Sequence, residues 1–196
     1  MIEKNIIKKF KKGDIMKKVE PIRDKSRIEE MKLALKKQNY RDYIMFMVGI
    51  NTGLRISDIL KLKVKDVRNK THIEITEGKT DKTKNILINN NLKSELDEYI
   101  INMKDYEYLF QSQKGANKPI SRVQAYRVLQ KSAKKIGLEK VGTHTLRKTF
   151  GYHHYQENKD VALLQELFNH SSPSITLDYI GINQDVMDKS MKNFGL

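Results

Sequence analysis

Six side chains stand out for the chemistry they could do. Arg55 follows Thr52–Gly53–Leu54 at an expected helix start, and Lys79 lies on a polar loop. His144 and Arg147 stand three apart in THTLRKTF, where they share the face of a helix start. His170 closes an expected helix in ELFNHSS, and Tyr179 follows nine residues later in SITLDYIG. Cations of this kind neutralise phosphate oxygens, and a tyrosine hydroxyl is a candidate nucleophile. Other routes to phosphate chemistry are missing, since the chain has no Gly-rich phosphate loop and no paired carboxylates of the kind that hold two metal ions. Five histidines are present, but His153 and His154 are adjacent and cannot share a helix face. If this protein acts on a nucleic-acid backbone, side chains must do it.

The composition fits such a substrate. The 196 residues hold 38 Lys and Arg against 24 Asp and Glu, a formal charge of +14. That balance points to a polyanionic partner, either nucleic acid or an acidic membrane face. The charge is also unevenly placed. Residues 118–148 hold nine basic residues and one acidic, whereas residues 150–196 hold three basic and six acidic. With no cysteine, a disulfide framework and a thiolate metal site are excluded. The longest apolar run, Tyr43 to Ile50, is far short of the roughly 20 residues that span a bilayer. The first ten residues lack the apolar block of a signal peptide. A soluble, basic, cytoplasmic protein is expected, with no membrane partner.

The elements that must position these side chains are mostly helices. Residues 1–22 read as a basic leader ending near Pro21. Ser26 and Glu29 form a capping box ahead of Ile28, Met31 and Leu35 at helical spacing. A second apolar helix, about Tyr40 to Asn51, ends at Gly53, and a short one carries Arg55 to Leu62. His72 to Thr76 and Asn85 to Ile88 read as strands joined by the loop Glu77 to Lys84. Leu92, Leu96, Tyr99 and Met103 make one helical stripe. Ser121 caps a helix with Tyr126, Leu129, Ala133 and Ile136 inside and Arg122, Lys131, Lys134 and Lys135 outside. Three short helices follow near 145–156, 160–169 and 173–181, with Tyr152 and Tyr155 expected to pack. The tail carries Met187, Met191 and Phe194 at i, i+4, i+7. The expected architecture is one mainly α domain with a small antiparallel β hairpin.

At the six residues the chain resembles the catalytic domain of the tyrosine recombinases, the phage-integrase family. That family's order is Arg, Lys, His-x-x-Arg, His or Trp, Tyr. TGLRISDIL resembles the first box, with Asp58 at its usual acidic position, THTLRKTF the His-x-x-Arg box, and LLQELFNHSSPSITLDYIG the last two. The resemblance runs from about Val19 to Leu196 and implies the tyrosine-recombinase catalytic-domain fold over 23–196. It implies double-stranded DNA as partner, no metal and no cofactor, and strand cleavage through a 3′-phosphotyrosyl link. In that scheme Arg55 and Arg147 fork onto the nonbridging oxygens, and Tyr179 attacks with His144 as base. Lys79 protonates the leaving 5′ oxygen, His170 bonds the phosphate, and Asp58 buttresses its neighbours. Lys82 shares the loop and stays open as the acid. Bland readings also stay open: Arg55 paired with Asp58, and His170 as a helix cap.

The resemblance further implies DNA contacts from Arg122, Lys131 and Lys148, and a tetramer on DNA whose C-terminal segment docks in a neighbour. Typical members carry a separate N-terminal core-binding domain, and the expectation here is that it is absent. A recombinase-fold accessory binder and a type IB topoisomerase-like enzyme are the alternatives.

Overall fold

The computed structural model describes residues 19–76, 83–192 and 194. Its elements are α1 (Lys25–Gln38), α2 (Tyr40–Thr52), α3 (Ile56–Ile59), β1 (His72–Thr76), β2 (Thr83–Leu87), α4 (Asn90–Tyr99), α5 (Arg122–Lys135), α6 (Thr143–Asn158), α7 (Val161–Phe168), α8 (Pro173–Ile180) and α9 (Ile182–Lys192). The mainly α architecture with one small hairpin is as the sequence predicts. β1 and β2 pair antiparallel, with His72 opposite Leu87 and Thr76 opposite Thr83. The second strand therefore starts two residues before the expected Asn85.

α2 is the centre of the larger core, because it is apolar almost all round. Tyr43 through Val48 are all buried, a pattern suited to a helix wrapped by neighbours. It ends at Gly53, whose φ of 63° is the left-handed region that glycine adopts without strain. The expected stripe of α1 (Ile28, Met31, Leu35) is buried as predicted. Of the second stripe, Leu92 and Leu96 are buried, Tyr99 is partly buried, and Met103, also partly buried, lies beyond the end of α4. A second, smaller core gathers Leu164, Phe168, Ile180 and Ile182, with Tyr152 and Tyr155 packed against it.

Some local expectations are corrected. α1 is capped by Asp24, whose carboxylate accepts the Ser26 N–H at 2.7 Å, so Ser26 lies inside the helix. The inner face of α5 is Ala125, Leu129, Ser132 and Ala133, while Tyr126 is 45% exposed. Ala125, not its neighbour Tyr126, takes the inward position one turn before Leu129. α3 is a single turn, with Arg55 as its N-cap rather than inside it. The expected leader boundary falls inside the folded body. Ile22 is buried and its N–H bonds to Thr149 Oγ1 at 2.9 Å, and Glu20 N–H bonds to the Lys140 carbonyl at 3.0 Å. Among the described residues, no helix is long and apolar enough to cross a membrane.

Candidate active site

Arg147 ties the two cores together. It is 6% exposed, and its Nη1 donates to the Gly53 carbonyl at 2.6 Å while its Nη2 donates to the Phe168 carbonyl at 2.8 Å. Both acceptors sit where a helix ends, at the last turn of α2 and of α7, where carbonyls lack intrahelical partners. The guanidinium carbon also lies 4.0 Å from the centre of the Phe168 ring. Gly53 is required twice over, for its positive φ and because a Cβ there would collide with the Phe150 ring. Two residues later Arg55 opens α3 and stays exposed. Asp58, one turn on, accepts the Ser57 hydroxyl at 3.3 Å.

Tyr179 arrives on α8, which Ser172 caps at its start and Gly181 ends. Thr176 and Ile180 form its buried face. That helix packs tightly on α6 because Gly151 has no side chain. A Cβ at Gly151 would fall 2.7 Å from Ile180 Cγ2 and 2.8 Å from Phe168 Cε2. The result brings the Tyr179 hydroxyl within 3.3 Å of His144 Nδ1. His170 stands edge-on to the Tyr179 ring at 5.1 Å between centroids, and Phe168 at 5.8 Å. His170 Nδ1 lies 3.0 Å from the Thr176 hydroxyl, which orients the imidazole.

The electrostatics follow from this packing. Burial pushes the Tyr179 hydroxyl above its ordinary pKa, and the Arg147 and Arg55 guanidiniums offset part of that rise. His144 keeps solvent access, yet desolvation and then the Lys148, Arg147 and Arg55 cations hold it below its ordinary value. His170 is lowered by desolvation and then by Arg147 and Arg55. At neutral pH the site therefore holds a protonated phenol beside two neutral imidazoles. This arrangement can move a proton from phenol to imidazole while two guanidiniums face an anion.

Of the expected site residues, Arg55, His144, Arg147, His170 and Tyr179 converge here. Lys79 and its rival Lys82 lie outside the described residues. Lys84 is in β2 rather than in the loop before it, and its Nζ donates to the Glu166 carbonyl near the end of α7 at 2.9 Å. With Arg55, Asp58 and Arg147 it lines a cleft between hairpin and helices. Arg122 and Lys131 lie exposed on α5. Lys148 departs from expectation: it is 6% exposed, with its Nζ 5.0 Å from the centre of the Tyr179 ring, so it is buried rather than open to a duplex. Sequence reasoning missed Thr176 and Phe168, which read as ordinary helix residues. Among the described residues, no three His, Asp or Glu side chains cluster to hold a metal ion.

Comparison with known proteins gives a consistent answer. The pattern of the phage integrase family matches residues 23–185. The chain is 56% identical over 177 residues to the probable integrase/recombinase YoeC of Bacillus subtilis (strain 168), covering 90% of this chain and 97% of that one. The crystal structure of XerA recombinase superposes with a TM-score of 0.72 at 24% identity over 88% of this chain and 65% of that one. The XerH site-specific recombinase, bound to a palindromic difH substrate, superposes at 0.68 with 23% identity over 90% of this chain and 54% of that one. The chain thus spans nearly all of the Bacillus relative but about half to two thirds of the crystallised recombinases.

Proposed function

This chain belongs to the phage integrase family, and from that premise we propose that it is a site-specific DNA recombinase that cuts and rejoins strands through Tyr179. The observation that carries the reading is the 3.3 Å approach of the Tyr179 hydroxyl to His144 Nδ1 beside Arg147. A buried phenol is a poor nucleophile until a base takes its proton, and a neutral imidazole within reach is such a base.

In the proposed step the Tyr179 oxygen attacks a backbone phosphorus as its proton passes to His144. The bond from phosphorus to the 5′ oxygen breaks, giving a 3′-phosphotyrosyl ester and a 5′ hydroxyl. Arg55 and Arg147 neutralise the nonbridging oxygens as charge grows on them, a task suited to forked guanidinium donors. His170, oriented by Thr176, bonds the same phosphate. Lys79, with Lys82 as the competing choice, protonates the leaving oxygen. Asp58 supports the Arg55 corner. The ester conserves the bond energy, so the reverse attack by a 5′ hydroxyl reseals the strand without ATP.

The partner in this reading is double-stranded DNA. The basic α5 face, with Arg122 and Lys131 exposed, contacts its phosphates. Met187, Met191 and Phe194 are 53%, 63% and 64% exposed, which supports docking of this tail in a neighbouring copy when four copies assemble on DNA.

A nicked suicide duplex tests the chemistry, because loss of the short fragment that bears the freed 5′ hydroxyl removes the resealing nucleophile and traps the covalent product. Incubation should give a protein–DNA band on a denaturing gel, and Tyr179→Phe should abolish it. No band from the unaltered chain, or a band that survives Tyr179→Phe, would overturn the assignment.

A further inference from the structure

We propose that Lys148 is a positioning residue for the proton transfer between Tyr179 and His144, acting through its buried ammonium rather than by touching the DNA. This rests on the nucleophile assignment above and deepens it.

The geometry is specific. Lys148 follows His144 by one helical turn on α6, so the two share a face. Its Nζ lies 5.0 Å from the centre of the Tyr179 ring. The base, the nucleophile and this cation therefore occupy three corners of one small volume. A lysine that is 6% exposed is costly to bury and is retained only where its surroundings compensate it. A neutral phenol ring offers a cation a modest attraction, whereas a phenolate offers a full opposite charge. The interaction thus strengthens as the proton leaves, which is the condition for accelerating a step rather than merely binding.

The same charge acts on the base. Among the described residues, the charged and titratable groups around His144 are Lys148 and Arg147 on its own helix, Arg55 at the cap of α3, and Tyr179 on α8, with His170 on the far side of the Tyr179 ring. The three cations each disfavour the imidazolium. The sign follows: with Lys148 charged, His144 stays free of solvent protons to a lower pH, ready for the phenol proton. Removing the charge lets His144 protonate at higher pH, and the base is then occupied before Tyr179 needs it.

The test measures the single-turnover rate of covalent complex formation on the nicked duplex as a function of pH. Lys148→Met and Lys148→Arg are compared with the unaltered chain, and Lys148→Gln replaces Met if circular dichroism shows that the Met variant does not fold. In parallel, the His144 ring resonance is titrated by NMR without DNA. The expected result is an acid limb that moves to higher pH in Lys148→Met, with a loss of roughly tenfold below the limb for each unit moved. Lys148→Arg should restore the limb, and His144 should titrate at higher pH in the Met variant. An equal loss at every pH with an unmoved His144 titration would reduce Lys148 to packing and overturn the proposal. Weakened DNA binding with a shallower salt slope and an unmoved limb would make Lys148 a phosphate contact and overturn it equally. If the unaltered chain forms no covalent complex, the Tyr179 assignment fails, while the NMR titration still decides whether Lys148 sets the charge state of His144.

Discussion

Replacing Arg147 by lysine keeps one positive charge but removes the fork. The native guanidinium bonds the Gly53 and Phe168 carbonyls at once, at 2.6 and 2.8 Å, and stacks 4.0 Å over the Phe168 ring. A single ammonium cannot reach both helix ends, so one buried carbonyl loses its partner. A hydrogen bond from a charged donor contributes ~1.5–3 kcal/mol, and a desolvated stack on an aromatic ring adds about 1–2 kcal/mol. With part recovered by the new ammonium, Arg147→Lys should lose roughly 2–4 kcal/mol of stability. For a chain of this size that lowers Tm by roughly 5–12 °C. The assay is thermal unfolding followed by circular dichroism, run beside the covalent-complex gel. Cleavage should fall at a temperature where the variant remains folded, because α7 and α6 no longer share the tie that fixes the site. A Tm within 2 °C of the original would refute the claim that this arginine joins the two cores.

Two further outcomes follow from packing. Gly151→Ala places a methyl against Ile180 and Phe168 at 2.7 and 2.8 Å, contacts that real Cβ atoms do not make. It should cost about 1–3 kcal/mol by denaturant unfolding and slow cleavage by shifting α8; an unchanged midpoint would show that α6 and α8 pack loosely. Met187→Glu combined with Met191→Glu alters side chains that are already exposed, so monomer stability should change by less than about 0.5 kcal/mol per site. Light scattering of the DNA-bound assembly should show smaller complexes; unchanged assembly would remove the tail from the subunit contact.

The helices were largely legible because their signals are local. The apolar run of α2, the Gly53 stop and the alternation of β1 all lie within short windows, where hydrophobic period and turn chemistry decide the outcome. Where several local caps compete, the sequence does not rank them, and Asp24 displaced Ser26. The same holds for α5, where Ala125 and Tyr126 both stand at helical spacing from Leu129 and Ala133, and the structure buries the first and exposes the second.

The amino-acid sequence alone determined the kinds of groups available: two arginines, two histidines and one tyrosine in boxes whose order matches one family. Each box is short, so residue type and spacing carry it. What only the tertiary structure decided is how the boxes meet. Arg147 finds Gly53 across 94 positions, and His144 finds Tyr179 across 35. Those distances depend on two glycines admitting close helix contacts and on carbonyls freed at helix ends. Neither the burial of Lys148 beneath the Tyr179 ring nor the hold of Thr176 on His170 could be read from neighbours along the chain, because burial and hydrogen-bond partners are properties of the packed interior.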